Sequence, residues 1–158
     1  MRSATMMSTQ LETDRVWPLL SARQLAEAAE ADEERLTLER SRLPERTARL
    51  LDEPVYSLRA RVSSWERLTL RLAGDGELYV EEYVNDLESR DQLDRLLEAR
   101  EPLNAEPVTG LLARLDARFD ELTVDDAGEA LRPYVRALRE GAPLAGRWYR
   151  RPERASWA

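Results

Sequence analysis

From Trp17 onward the apolar positions fall into runs whose period changes along the chain. Ser21 and Gln24 have the spacing of a capping box, and Leu25, Ala28, Ala29 and Leu36 follow at helical intervals. Pro44 suits the first turn of a second helix running through Thr47, Leu50 and Leu51. Pro54 ends it, because the residue before a proline avoids the helical region. Then Tyr56, Leu58, Ala60 and Val62 alternate with polar residues, as do Leu68, Leu70 and Leu72. Alternation of this kind predicts two strands, each with one apolar face. Gly74-Asp75-Gly76 supplies the backbone freedom of a tight hairpin, which predicts a third strand over Glu77 to Val84. Within that stretch Val80, Tyr83, Val84 and Leu87 also fit a helical stripe.

Helical spacing returns at Ser89, which with Gln92 reads as another capping box, followed by Leu93, Leu96 and Leu97 and stopped at Pro102. The clearest helix follows: Val108, Leu112, Leu115, Phe119 and Leu122 step by four, three, four and three. Thr123 and Asp126 start a last helix through Leu131, Tyr134, Val135 and Leu138, kinked at Pro133 and ended by Gly141 and Pro143. The expected fold is α+β: N-terminal helices, a three-stranded antiparallel β-meander, then three helices packed on one face of the sheet. Residues 1–16 read as a flexible N-terminal segment, 17–143 as one domain, and 144–158 as an Arg/Trp-rich C-terminal tail.

Composition narrows the chemistry. The chain has no Cys, His or Lys, and all its basic residues are Arg. That usage suggests a GC-rich bacterial genome. It removes thiolate and imidazole chemistry, Schiff bases and the phosphate-loop lysine. Asp, Glu, Tyr, Ser, Thr and Arg remain, and no cofactor is expected. No apolar run approaches the roughly 20 residues of a membrane span, so a cytoplasmic location without membrane contact is expected.

Charge changes the picture further. The net charge is −7, yet it is segregated: residues 75–101 are strongly acidic, whereas Arg147, Arg150, Arg151 and Arg154 crowd the C-terminal end. Such segregation either guides a partner protein or folds the basic end onto the acidic middle of the same chain. The tail residues Arg147, Trp148, Tyr149, Arg150, Arg151 and Trp157 are of the types enriched at binding hot spots. A homodimer joining the tail of one copy to the acidic region of the other is a specific version.

Other candidates are weaker. Glu81, Glu82, Tyr79 and Tyr83 could perform acid–base chemistry in a pocket between sheet and helices if one carboxylate were buried. Asp116 and Asp120, one helical turn apart, could offer oxygens to a hard cation. Arg59, Arg61, Arg67 and Arg71 would line the outward face of the meander, where they could bind phosphate or nucleic acid, or pair with nearby acids. The acidic balance disfavours nucleic acid. The expected function is a non-catalytic interaction module: an adaptor, inhibitor, immunity-type protein or accessory subunit. A carboxylate/tyrosine enzyme or small-molecule binder is the alternative, with nucleic-acid binding behind it.

Overall fold

Ser57 begins a helix where alternation predicts a strand. In the computed structural model, which describes residues 10–158, its hydroxyl oxygen accepts from the Ala60 N–H at 3.1 Å. The Leu58 N–H is taken by the Asp32 carboxylate at 2.8 Å. With its first turn capped twice, the chain stays helical to Ala73. The expected meander over 56–84 is thereby replaced by two helices.

The elements are α1 (Glu12–Val16), α2 (Ala22–Ser41), α3 (Glu45–Ala48), α4 (Leu58–Ala73), α5 (Val80–Ala99), α6 (Val108–Leu122), β1 (Thr123–Asp125), α7 (Arg136–Arg139) and β2 (Arg150–Pro152), with short 3-10 turns at Trp17–Leu19, Glu101–Leu103 and Gly146–Tyr149. The sheet described is a two-stranded antiparallel one, β1 with β2, pairing Thr123 with Pro152 and Asp125 with Arg150. The fold is mainly helical.

Alternation misleads here because periods of 2 and 3.6 share many positions. Leu58, Val62, Trp65 and Leu68 satisfy a helical stripe as well as most of an alternating one. The deciding residues are those on which the two periods disagree. A strand would place Leu70 with Leu68 and Leu72, yet Leu70 is 45% exposed while Thr69 is buried. On α5 the strand face would have joined Tyr79 to Tyr83, but Tyr79 is exposed and Tyr83 is fully buried. Gly74 to Gly76 therefore connects two helices instead of closing a hairpin.

The core is built where α4 packs against α5 and α6. Trp65, Tyr83 and Phe119 meet at its centre, with ring centroids 4.8 Å apart for Trp65–Phe119 and 6.3 Å for Tyr83–Phe119. Leu87, Leu93, Leu103, Leu111 and Leu115 close around them. The α6 stripe of Val108, Leu112, Leu115 and Phe119 is buried as its spacing predicts, but it covers a helix and not a sheet.

Three local expectations need correcting. Ser89 caps nothing, because α5 begins at Val80 and Ser89 lies within it. Thr123 opens β1 and not a helix. The Asp126 carboxylate instead accepts from the N–H groups of Gly128 and Ala130, both at 2.9 Å, which holds residues 126–135 in turns. Residues 10–16 of the expected flexible segment are anchored: the buried Glu66 carboxylate accepts from the Glu12 and Thr13 N–H groups at 2.7 and 2.8 Å. The first part of that segment, residues 1–9, lies outside the described residues. The Ser21–Gln24 capping box is present as read. Gln24 also donates to the carbonyls of Pro102 and Glu106, tying α2 to the loop before α6.

Candidate functional site

The tail packs on its own domain. The Trp148 indole is buried and donates to Asp91 of α5 at 2.6 Å. Arg147 pairs with Asp94 and lies 3.5 Å from Asp91. Arg150 donates to the Thr123 hydroxyl at 2.8 Å and sits 3.6 Å from Asp120. Tyr83 donates its hydroxyl to the Arg150 carbonyl at 2.8 Å, and the Trp157 indole donates to the Leu78 carbonyl at 2.8 Å. Tyr149 is half-buried, with its ring against the position where Gly128 would carry a side chain. Arg151 approaches Asp126 at 4.0 Å. Arg147 and Arg150 of the tail are thus engaged within one chain, whereas Arg154, Asp75, Glu77 and Glu81 remain exposed.

The four acid–base candidates are not brought together. Glu81 and Tyr79 are exposed, and Glu82 pairs with Arg71 at 2.7 Å on the surface. Tyr83 faces the core, where burial above all raises its hydroxyl pKa above the ordinary value. Asp116 and Asp120 diverge in their partners. Both oxygens of Asp116 accept from Arg90, at 3.1 and 2.8 Å, and one also accepts from the Trp65 indole at 2.9 Å. Asp120 faces Arg150.

The four arginines read as one sheet face are dispersed by the helix. Arg59 pairs with Asp14 at 2.9 Å, and Arg71 with Glu82 and Asp86 at 2.7 and 2.8 Å. Arg67 is exposed. Arg61 alone is buried, at 9% exposure.

Arg61 points into a polar groove between α2, α4 and α5. Two adjoining hollows of about 370 and 240 Å³ share Arg35, Tyr56, Arg61 and Gln92. The first adds Arg42, Glu88 and Ser89; the second adds Arg95 and Asp32. Arg61 donates to the Ser89 hydroxyl at 3.0 Å, and among the described residues it forms no ion pair. The guanidinium groups of Arg35 and Arg61 lie 5.3 and 5.0 Å from the Tyr56 ring centroid. Burial first, and the neighbouring Arg35 charge second, lower the Arg61 pKa from its ordinary value. Reading residues 56–62 as a strand sends Arg61 outward and hides this groove. The signal that finds it is helical: Arg61 lies three residues after Leu58 and four before Trp65, at the edge of the buried stripe.

Beside the groove, the C-terminal half of α2 and the segment through α3 form an arm. Its backbone is pinned. Buried Glu39 accepts from the N–H groups of Val55 and Tyr56 at 2.7 and 3.4 Å and pairs with Arg35 at 3.0 Å. Arg40 donates through Nε to the Leu51 carbonyl at 3.0 Å. Along this arm Leu38, Leu43, Leu50, Val55 and Tyr56 are all exposed.

Among the described residues, no helix is long and apolar enough to cross a membrane. Comparison with protein-family models, curated proteins and solved structures found no match.

Proposed function

We propose that the protein is a non-catalytic interaction module that binds a partner protein through the arm spanning residues 38–56. The observation that carries this reading is the concentration of large exposed apolar side chains on that arm, with Leu50 as much as 79% exposed. Single exposed leucines are ordinary on protein surfaces. Several on one pinned segment are what contact surfaces offer. The bonds made by Glu39 and Arg40 hold the backbone beforehand, which lowers the ordering cost of association. Exposed Arg42 and Arg46 alternate with exposed Glu45, Asp52 and Glu53 along the arm, so the apolar side chains and not a net charge define the complementary partner face. The Arg/Trp tail, with its indoles and Arg147 engaged at home, contributes to this surface only by bracing α5.

A photo-crosslinking residue placed at Leu50, and separately at exposed Arg132, tests the reading in the source cell. A discrete adduct at position 50 and none at 132 is expected. No adduct at 50, or the same adducts at both positions, rejects it. Leu50→Glu is expected to abolish a partner's binding while leaving the thermal midpoint of the free protein unchanged.

A further inference from the structure

We propose that the groove between α2, α4 and α5 is an oxyanion site in which Arg61 receives the phosphoryl group of a small molecule. This inference goes beyond the partner reading: Leu38, Arg42 and Tyr56 of the arm also line the groove, but Arg61 lies outside the arm and Leu50 outside the groove, so the two are tested separately. A guanidinium carries five N–H donors and a full charge. Arg61 is 9% exposed as a residue, and its guanidinium hydrogen-bonds only to the neutral Ser89 hydroxyl; Glu39 and Glu88 act on it through space without forming an ion pair. A charge withdrawn from water without a counter-ion is costly, and proteins ordinarily supply one. Elsewhere this chain does so: buried Arg90 has Asp116 and Asp94, and Arg100 has Glu27 and Glu34. Tyr56 provides a ring face to Arg61, which attracts a cation but neutralises nothing.

The lining supplies what an anion needs. In the larger hollow Arg35 is already paired with Glu39, so Arg42 and Arg61 stand against Glu88, with Asn85, Ser89 and Gln92 as neutral hydrogen-bonding groups. Arg42, like Arg61, forms no ion pair among the described residues, so the local excess of positive charge is not cancelled. Two guanidiniums free of ion pairs among the described residues can donate to one group, which the three oxygens of a phosphoryl accept better than the two of a carboxylate, and the planar guanidinium fork matches phosphoryl oxygens. The smaller hollow continues past Arg61 along Ala31, Leu58 and Leu96. It leaves room for an organic substituent on the phosphoryl group, so a monoester gains contacts that free phosphate lacks.

The test is calorimetric titration of the full chain at constant ionic strength, with three probes: inorganic phosphate, glycerol 3-phosphate and acetate. Saturable binding is expected for both phosphates, the ester tighter, with acetate at least tenfold weaker. Arg61→Gln is expected to weaken phosphate binding at least tenfold and Arg42→Gln several-fold, while Arg132→Gln leaves it unchanged. The Arg61 Nε–Hε NMR signal of the wild-type protein gives a readout that depends on no variant folding, and it should shift along the same saturation curve. Absence of saturable phosphate binding, an unmoved Arg61 signal, or equal affinity in Arg61→Gln overturns the site. Acetate binding as tightly as phosphate overturns the phosphoryl assignment. An ester no tighter than free phosphate overturns the role of the second hollow.

Discussion

Replacing Asp116 by Ala removes the carboxylate that holds three core-facing groups at once. The Arg90 side chain is 5% exposed and loses the bonds from Nε (3.1 Å) and Nη2 (2.8 Å), while the Trp65 indole loses its acceptor at 2.9 Å. Arg90 keeps Asp94, which accepts from Nη1 at 2.5 Å. Breaking a buried pair by removing one partner costs about 3–5 kcal/mol. Asp116 is itself 32% exposed, so water can enter where the carboxylate stood, which places the cost near the lower end, about 3 kcal/mol. At a urea slope of about 2 kcal/mol/M the midpoint falls by roughly 1.5 M. Urea unfolding followed by tryptophan fluorescence reads this directly. Arg90→Met alone should also destabilise, since it orphans Asp116. In the double variant Asp116→Ala with Arg90→Met neither of the two charges is left facing an empty site, so it should be no less stable than Asp116→Ala alone, and the coupling energy then equals the cost of Arg90→Met, about 2 kcal/mol. A midpoint shift for Asp116→Ala below about 0.3 M (well under the slope-derived value), or strictly additive single and double variants, refutes the claim that this pair organises the α4–α5–α6 junction.

Two further predictions concern α5 and the turn after β1. Burial pushes the Asp86 pKa up from the usual 3.8 to about 6, with Arg71 opposing the rise. The native state therefore favours the proton, and the stability this group lends is full below pH 3.8 and is lost as pH climbs through about 6. Asp86→Asn, neutral throughout, should gain on the wild type by up to roughly 3 kcal/mol between pH 4 and 7; denaturant curves across that range whose difference stays flat or falls sink the assignment. Gly128 has φ of +81°, and an added methyl carbon would meet the Tyr149 ring at 3.1 Å and Leu138 at 3.3 Å. Gly128→Ala should cost about 2 kcal/mol from strain and overpacking together, seen as a lower thermal midpoint; an unchanged midpoint would show that Tyr149 moves aside freely.

Two of the helical signals are legible in the sequence. The Ser21–Gln24 box and the Val108–Phe119 stripe stand where they were read. Residues 56–84 are not, for a physical reason. Leu68 and Leu72 suit either period while Leu70 suits only the strand, and the choice falls to caps and to what is buried nearby. Ser57 and Asp32 together satisfy two of the first N–H groups of α4, and Asp32 lies 26 residues upstream of Leu58, beyond any local pattern. The Gly74-Asp75-Gly76 turn signal predicts a hairpin, whereas the segment joins two helices with neither glycine at positive φ. The apolar arm is visible in the sequence only in part: Leu50 and Leu51 read as part of a short helix, but α3 stops at Ala48 and Leu50 is exposed.

Charge segregation shows how such a site escapes detection. The acidic block in 75–101 and the basic C-terminal end looked like an invitation to a partner, and much of that invitation is answered at home: Asp91 and Asp94 by Trp148 and Arg147, Asp120 by Arg150, Asp86 by Arg71. Once those pairs are removed from the reckoning, excess charge is no longer informative where it is most abundant. It is informative where a buried cation lines a groove without an ion pair. By that measure the acidic surface of α5 says little about function, whereas Arg61, one residue among 24 arginines, says a good deal. Arg61→Met separates the two views. If the groove merely tolerates an unpaired charge, removing that charge should leave the free protein as stable as before, or up to about 2 kcal/mol more stable. A loss of more than about 2 kcal/mol would mean that Arg61 is already compensated in the empty groove, and the case for an incoming anion would fall with it.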